Sequence, residues 1–174
     1  QAGVADDIQM YADDELKQRY LPGFASGELM GAMDLTEPQA GSDLGGITTR
    51  ATRENGKVFL DGEKIFITNG VHADLYFVAA RTGEPSPGRR HEGLSMFLVE
   101  RGTPGFAVSR ALDKMGMRAS DTAELAFQDC PVPADNLLGV EGRGFQQLAA
   151  GLERERIMAA VLALSGAAWA LEQT

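Results

Sequence analysis

Cysteine is almost absent: Cys130 is the only one among 174 residues, so no internal disulfide can staple the chain. A lone thiol fits a reducing compartment. Histidine is nearly as scarce. His72 and His91 are well separated, and with one cysteine they offer no metal-ligand spacing. No stretch reaches the roughly 18 uninterrupted apolar residues of a membrane-spanning helix. The opening QAGVADDIQM has neither a basic nor an apolar leader region, so no signal peptide is visible. Basic residues are in deficit, with 16 Lys+Arg against 25 Asp+Glu, a net charge of −9 and a pI of about 4.7. That balance argues against a nucleic-acid partner and against an anionic membrane surface.

The deficit is uneven. Residues 1–43 hold two bases (Lys17 and Arg19) and nine acids, a net of −7, whereas residues 44–101 carry a net of +1. Apolar content of 44 % and charged content of 24 % are ordinary for a globular protein long enough to bury a core.

Residues 1–29 read as one or two short helices, with acids at Asp13, Asp14 and Glu15 and bases at Lys17 and Arg19, the order the helix dipole favours. Pro22-Gly23 is expected to end or bend that segment. Segments 47–52 and 57–61 flank Glu54-Asn55-Gly56, a hairpin signal. Further strands are expected at 64–68, 75–80, 94–99, 106–109 and 122–128, with an exposed loop at 82–93. Pro131 and Pro133 are expected to stop the pairing. Six or seven short strands without helix alternation predict an antiparallel barrel or sandwich and exclude a doubly wound sheet.

Residues 144–173 predict one long helix, roughly 45 Å at the usual rise. Leu148, Leu152, Glu155, Ala159, Leu162, Gly166 and Trp169 form one stripe, and past Arg156 the other faces are apolar as well. Such a helix needs neighbours on every side, which the rest of the chain is too small to supply. The chain is therefore read as a piece of something larger or as one that needs a partner, and the missing neighbours are expected to be helices. Glu155 is the one carboxylate in the stripe. In dry surroundings a carboxylate can serve as a base near neutral pH; at a bundle rim it can equally be half of a structural ion pair.

Residues 33–43, Met-Asp-Leu-Thr-Glu-Pro-Gln-Ala-Gly-Ser-Asp, run a short strand into a loop with two hydroxyls, Thr36 and Ser42. Such a loop suits a planar heteroaromatic ligand or an anion, and an ordinary capped loop looks the same. The stretch resembles the LTEPxAGSD signature of the acyl-CoA dehydrogenase family. Residues 62–70 (GEKIFITNG) resemble the family's GxKxWITNG strand, and 112–122 (LDKMGMRASDT) its KxGxRxSxT segment. Residues 127–133 and 136–139 resemble its exit from the β domain, and 142–156 the start of its first C-terminal helix.

The resemblance implies an α+β fold: an antiparallel β-barrel middle domain flanked by helical-bundle segments. Residues 1–29 would close the N-terminal helical domain, 30–139 form the barrel, and 140–174 begin the C-terminal helical domain. It implies FAD-dependent α,β-dehydrogenation of an acyl-CoA, in which a glutamate takes the α-proton and the β-hydrogen leaves as hydride to flavin N5.

Residue by residue, the loop residues Met33, Leu35, Thr36, Gly41 and Ser42 and the strand residues Phe66, Ile67 and Thr68 would contact the flavin. Phe66 stands where the family usually has Trp, keeping an aromatic face without the indole N–H. Ser42 would also meet the CoA. GLERER at 151–156 resembles the G-L-D-x-E-R pattern of the isovaleryl-CoA and long-chain enzymes, which aligns Glu155 with the catalytic base. Glu153 and Arg156 would contact the CoA, and Gln146 would line its channel. Arg89 and Arg90 are read as solvated charges, with CoA phosphates the alternative.

An electron-transfer flavoprotein as electron acceptor and a homotetramer are implied too, in a bacterial cytoplasm or a mitochondrial matrix. An acyl-CoA oxidase of the same fold, or a non-catalytic β-domain module used in assembly, are the rival readings.

Overall fold

A computed structural model describes residues 2–173. Two helices open the chain, α1 (Ala2–Tyr11) and α2 (Asp14–Ser26). Asp13 caps α2 by accepting the Leu16 N–H at 2.8 Å, and Asp14 and Glu15 sit in its first turn. The helix does not end at Pro22. It runs on to Ser26, with Leu21 and Phe24 on either side of the proline packed against the outer core, and it terminates at left-handed Gly27, φ 79°.

Eight strands follow: β1 (Gly31–Asp34), β2 (Arg50–Glu54), β3 (Lys57–Thr68), β4 (Leu75–Arg81), β5 (Leu94–Glu100), β6 (Phe106–Ala111), β7 (Thr122–Pro133) and β8 (Leu137–Leu138). They form one sheet in the order β6-β7-β3-β2-β4-β5-β8, with β1 also on β4. The Asn55-Gly56 hairpin joins β2 to β3 as expected, both residues at positive φ.

The expected closed antiparallel barrel is not what forms. The sheet is mixed, because β1 and β2 both lie parallel to β4 along one of its edges. It stays open: among the described residues β6 and β8 end the order without meeting, and β8 is only two residues long.

Two further expectations fail for local reasons. Segments 57–61 and 64–68 are a single strand. Gly62, at φ 150°, passes so close to Thr49 that a Cβ would sit 2.5 Å from Thr49 Oγ1. Pairing also continues through Pro131 and Pro133, opposite Phe59 and Lys57. Beyond Phe127 no β6 residue pairs with β7, so an absent N–H on that side leaves no gap in a ladder.

The apolar runs at 75–80 and 94–99 are explained by burial on both faces. Tyr76, Val78, Ala80, Phe97 and Val99 face β3 and β7 across one core. Leu75, Phe77, Ala79, Met96 and Leu98 face α1, α2 and the start of α3 (Gly144–Glu172) across a second. The helices thus close the outer side of β4 and β5. Beyond Leu148, α3 is uncovered: Ile157, Met158, Val161, Leu162, Leu164 and Trp169 are all exposed, as the shortage of neighbours implied. No helix among the described residues is long and apolar enough to cross a membrane.

The α1–β1 contact is tight. A Cβ on Gly31 would lie 2.5 Å from Val4 Cγ1. Gly31→Ala should therefore cost about 1–3 kcal/mol in denaturant unfolding, as overpacked sites do.

Candidate active site

The signature loop after β1 is tied to β3 at one point. Lys64 Nζ donates to the Leu35 carbonyl at 3.2 Å and to Glu37 Oε1 at 2.7 Å, and the Ile65 N–H donates to the Thr36 carbonyl at 2.9 Å. Lys64 and Glu37 are both buried. Glu37 also accepts from Thr49 through Oε1 and from Gln39 and Thr48 through Oε2, so the carboxylate is fully engaged. Burial works against its charge, but the Lys64 ammonium and the hydroxyl and amide donors outweigh it and hold the carboxyl at about 2. Burial draws Lys64 down from the ordinary lysine value, and Glu37 opposes that.

Immediately past Lys64 the β3–β7 register slips, and Phe66 adopts φ 60°, a strained conformation for an aromatic residue. The bulge turns its ring outward, 63 % exposed. Beside it lie half-buried Met33, Leu35 and Thr36, and exposed Thr68 follows on β3. Ile67 differs from the other strand candidates. Its side chain is in the inner core, so only its backbone is on offer. Gly41 and Ser42 are exposed further along the loop. The loop and the Phe66 bulge therefore form one patch of aromatic, hydroxyl and backbone groups.

Arg81 positions the loop from behind. Its guanidinium donates to the carbonyls of Ile47, Glu92, Gly45 and Arg90 at 2.8–3.3 Å. Arg90 pairs with Asp43 of the signature, and Arg89 with Glu92, so both lie within local ion pairs.

Glu155 lies elsewhere. It lines an apolar cavity of about 340 Å³ between α1 and α3, with Gly3, Asp7, Met10, Met158 and Leu162 among its walls. α1 touches both β1 and α3 and so bears on both regions. The dry surroundings expected of Glu155 are not formed by this chain alone, and its side chain is exposed. Glu153 and Arg156 are exposed on the same helix. Gln146 lines a second cavity, about 260 Å³, with Tyr11 and Arg143.

Two acidic groups escaped the sequence reading. Asp34 is completely buried, and neither of its oxygens has a hydrogen-bond partner. Burial raises its carboxyl well above the ordinary aspartate value, against a weaker pull from Lys64. The signal was available: strand alternation places Asp34 on the same face as core residue Ala32. Asp7 is the other, with its carboxyl pushed up to about 6 by burial and then by Glu155 and Asp6. Cys130 is buried with its thiol pushed up to about 11, which makes it a packing residue. No group of three or more His, Cys, Asp or Glu among the described residues could hold a metal ion.

The family model for the acyl-CoA dehydrogenase middle domain matches residues 32–130, more than half of the chain. This chain belongs to the acyl-CoA dehydrogenase family. It is 47 % identical over 165 residues to an acyl-CoA dehydrogenase of Bacillus subtilis, covering 95 % of this chain and 43 % of that one. Against the mouse mitochondrial long-chain specific acyl-CoA dehydrogenase the identity is 44 %, over 96 % of this chain and 39 % of the other. The crystal structure of an acyl-CoA dehydrogenase from Geobacillus kaustophilus superposes with a TM-score of 0.87 at 48 % identity, covering 91 % and 41 %. The chain thus spans less than half the length of these relatives.

The buried pair gives a sharp test. Lys64→Met leaves the Glu37 charge without its counter-ion and should cost about 3–5 kcal/mol in urea unfolding; adding Glu37→Gln should recover part of that loss. The two buried acids also act in opposite directions on pH dependence. Glu37, depressed, contributes stability above 4.5 that is lost as pH falls toward about 2. Asp34, raised, contributes stability below 3.8 that declines as pH climbs through its elevated range. Asp34→Asn should flatten the decline in Tm on the neutral side and leave the acid-side loss in place.

Proposed function

We propose that this chain carries the middle-domain half of a site for FAD-dependent α,β-dehydrogenation of an acyl-CoA, with Glu155 as the base. The observation that carries the reading is Phe66. An aromatic ring held outward on strained backbone, beside the Thr36 loop, is a surface made for a flat ring system and costly to maintain without one. The donor set fits FAD. Met33, Leu35 and Phe66 offer apolar faces, Thr36 and Thr68 offer hydroxyls, and Gly41 and Ser42 offer groups for a phosphate or ribityl chain. FAD, when bound, supplies the acceptor for the β-hydride.

The chain's own residues do the rest. Thr36 and its backbone orient the ring system, held in register by the Lys64–Glu37 pair. Glu155 takes the α-proton; the apolar walls of its cavity (Met10, Met158, Leu162) suit an acyl chain and exclude water from the carboxylate once the remaining helices cover α3. Glu153 and Arg156, solvent-facing one turn apart, are placed to meet the CoA, with Gln146 at the channel. An electron-transfer flavoprotein is the proposed electron acceptor and a homotetramer the proposed assembly, in a bacterial cytoplasm or mitochondrial matrix. The uncovered length of α3 supports burial by further helices.

Glu155→Gln in the FAD-loaded protein is expected to keep its flavin absorption band and to lose α-proton exchange of a bound acyl-CoA by about 10²–10⁴-fold. Exchange at the wild-type rate would remove Glu155 from the role. Oxygen uptake during turnover would point to the oxidase chemistry instead.

A further inference from the structure

Three cavities follow one another along the groove between α1 and α3, and neighbouring ones share side chains. The first is the apolar cavity of Glu155, with Gly3 and Asp7 on its α1 wall. The second, about 10 Å³, is lined by Asp7, Tyr11 and Gln147 and by apolar Phe77, Met96 and Leu138 of the sheet. The third, about 260 Å³, has Tyr11 and Gln147 in its wall again and opens outward between exposed Val140, Arg143 and Gln146. The order follows from helical spacing. Gly3, Asp7 and Tyr11 stand at i, i+4 and i+8 on α1; Glu155, Gly151 and Gln147 run the other way on α3 at the same spacing. Gly151 leaves open space at the turn of α3 between Glu155 and Gln147.

The two helices are held in this register. Arg154 pairs with Asp6, Glu155 Oε1 lies 3.3 Å from where a Gly3 Cβ would be, and the Gly139 N–H donates to the Tyr11 carbonyl at 3.1 Å. Gln147 is fixed as well: its Nε2 donates to the Leu138 carbonyl at 3.0 Å. Its Oε1 is buried and has no hydrogen-bond partner among the described residues. Arg154 is engaged by Asp6, which leaves the Asp7 carboxyl without an ion pair among the described residues. Two acceptors in want of donors thus belong to the walls of a cavity whose volume is at the lower limit for a single water.

When an acyl chain fills the first cavity, Glu155 faces that chain and not bulk water, so the proton it takes needs another way out. We propose that Asp7 and Gln147 form it: a proton path from Glu155 to solvent at the start of α3, through one water held between them. The inference rests on the reading of Glu155 as base. Cβ positions one turn apart on a helix are about 5–6 Å apart, which puts Asp7 within reach of the Glu155 carboxyl directly or across one bridging water. The Glu155 carboxyl gives its proton to the Asp7 carboxylate. Asp7 passes a proton to the water, which donates to Gln147 Oε1 and releases a proton to the outer cavity. Glu155 and Asp7 are then carboxylates again. The titratable or charged groups along the path are Asp6 and Tyr11 on α1 and Arg143, Arg154 and Glu155 at or on α3; the sheet presents only apolar side chains to it. The Asp7 carboxyl, pushed up to about 6 by burial and then by Glu155 and Asp6, takes up and gives up protons near neutral pH.

Two rates measured on the FAD-loaded protein without oxygen separate the path from the base. Flavin bleaching by an acyl-CoA reads proton abstraction. Deuterium uptake from D₂O at the α-carbon of the acyl-CoA reads abstraction followed by escape of the proton. Weaker acyl-CoA binding lowers both rates and cancels in their ratio. In Asp7→Asn the ratio of deuterium uptake to bleaching should fall by roughly tenfold or more, and Asp7→Glu should restore it. Gln147→Met should lower the same ratio, with a retained flavin band to show that each variant is folded. An unchanged ratio in either Asp7→Asn or Gln147→Met overturns the proposal. If Glu155→Gln loses both rates while Asp7→Asn keeps the wild-type ratio, the base stands and the path falls. If Glu155→Gln keeps both rates, base and path fall together.

Discussion

The buried Lys64–Glu37 pair is the constraint from which the candidate flavin surface follows. Desolvating an ammonium and a carboxylate is expensive, and attraction between them offsets that cost only when every remaining donor and acceptor is engaged. Here Glu37 receives six hydrogen bonds, from Gln39, Thr48, Thr49 and Lys64. Those partners span both ends of the loop between β1 and β2 and the middle of β3. The loop consequently has one arrangement, and the β3 bulge beside it has one orientation. Apolar residues of similar volume could fill the space but could not specify which loop carbonyl meets which strand position. Specification of that kind is what a site needs when its ligand contacts are largely backbone.

The two-sided burial of β4 and β5 carries this order outward. Their inner face completes the core against β3 and β7, and their outer face seats α1, α2 and the base of α3. A shift of α1 on β1 would therefore move both the loop and the cavity of Glu155. The close approach of Val4 to Gly31 leaves little room for such a shift. One helix in this way bears on both the loop and the cavity.

Much of this was legible in the sequence where the cause is local. Asn55-Gly56 dictates its own turn, the apolar runs at 75–80 and 94–99 mark strands, and the stripe on α3 shows a helix short of neighbours. Thr36 and Phe66 are candidates through the family resemblance alone, and Glu155 also through its place in the α3 stripe. What was not legible depends on partners distant in the chain. Lys64 and Glu37 are 27 residues apart and meet only because β1 and β3 lie side by side. The prolines of β7 looked like breaks because nothing local says which edge of that strand is unpaired. Gly62 looked like a strand boundary because its close approach to Thr49 appears only in three dimensions. The mixed sheet follows from where β1 and β2 are laid against β4, and alternation within a strand carries no information about its neighbour's direction.

The acidity of residues 1–43 also changes meaning once the fold is known. A net charge of −7 beside a proposed site for two polyanions looked unfavourable as a count. Yet Asp34 is buried in the core, where burial disfavours its charged form, Glu37 is matched by Lys64, Asp6 by Arg154 and Asp43 by Arg90. Several of the acids thus carry no free field toward the loop. Asp7 is a different case, since it lines the cavity between α1 and α3 and is not part of the loop. The distribution of the acids between buried, paired and cavity-facing positions, and not their number, decides what the acidic segment does to the site.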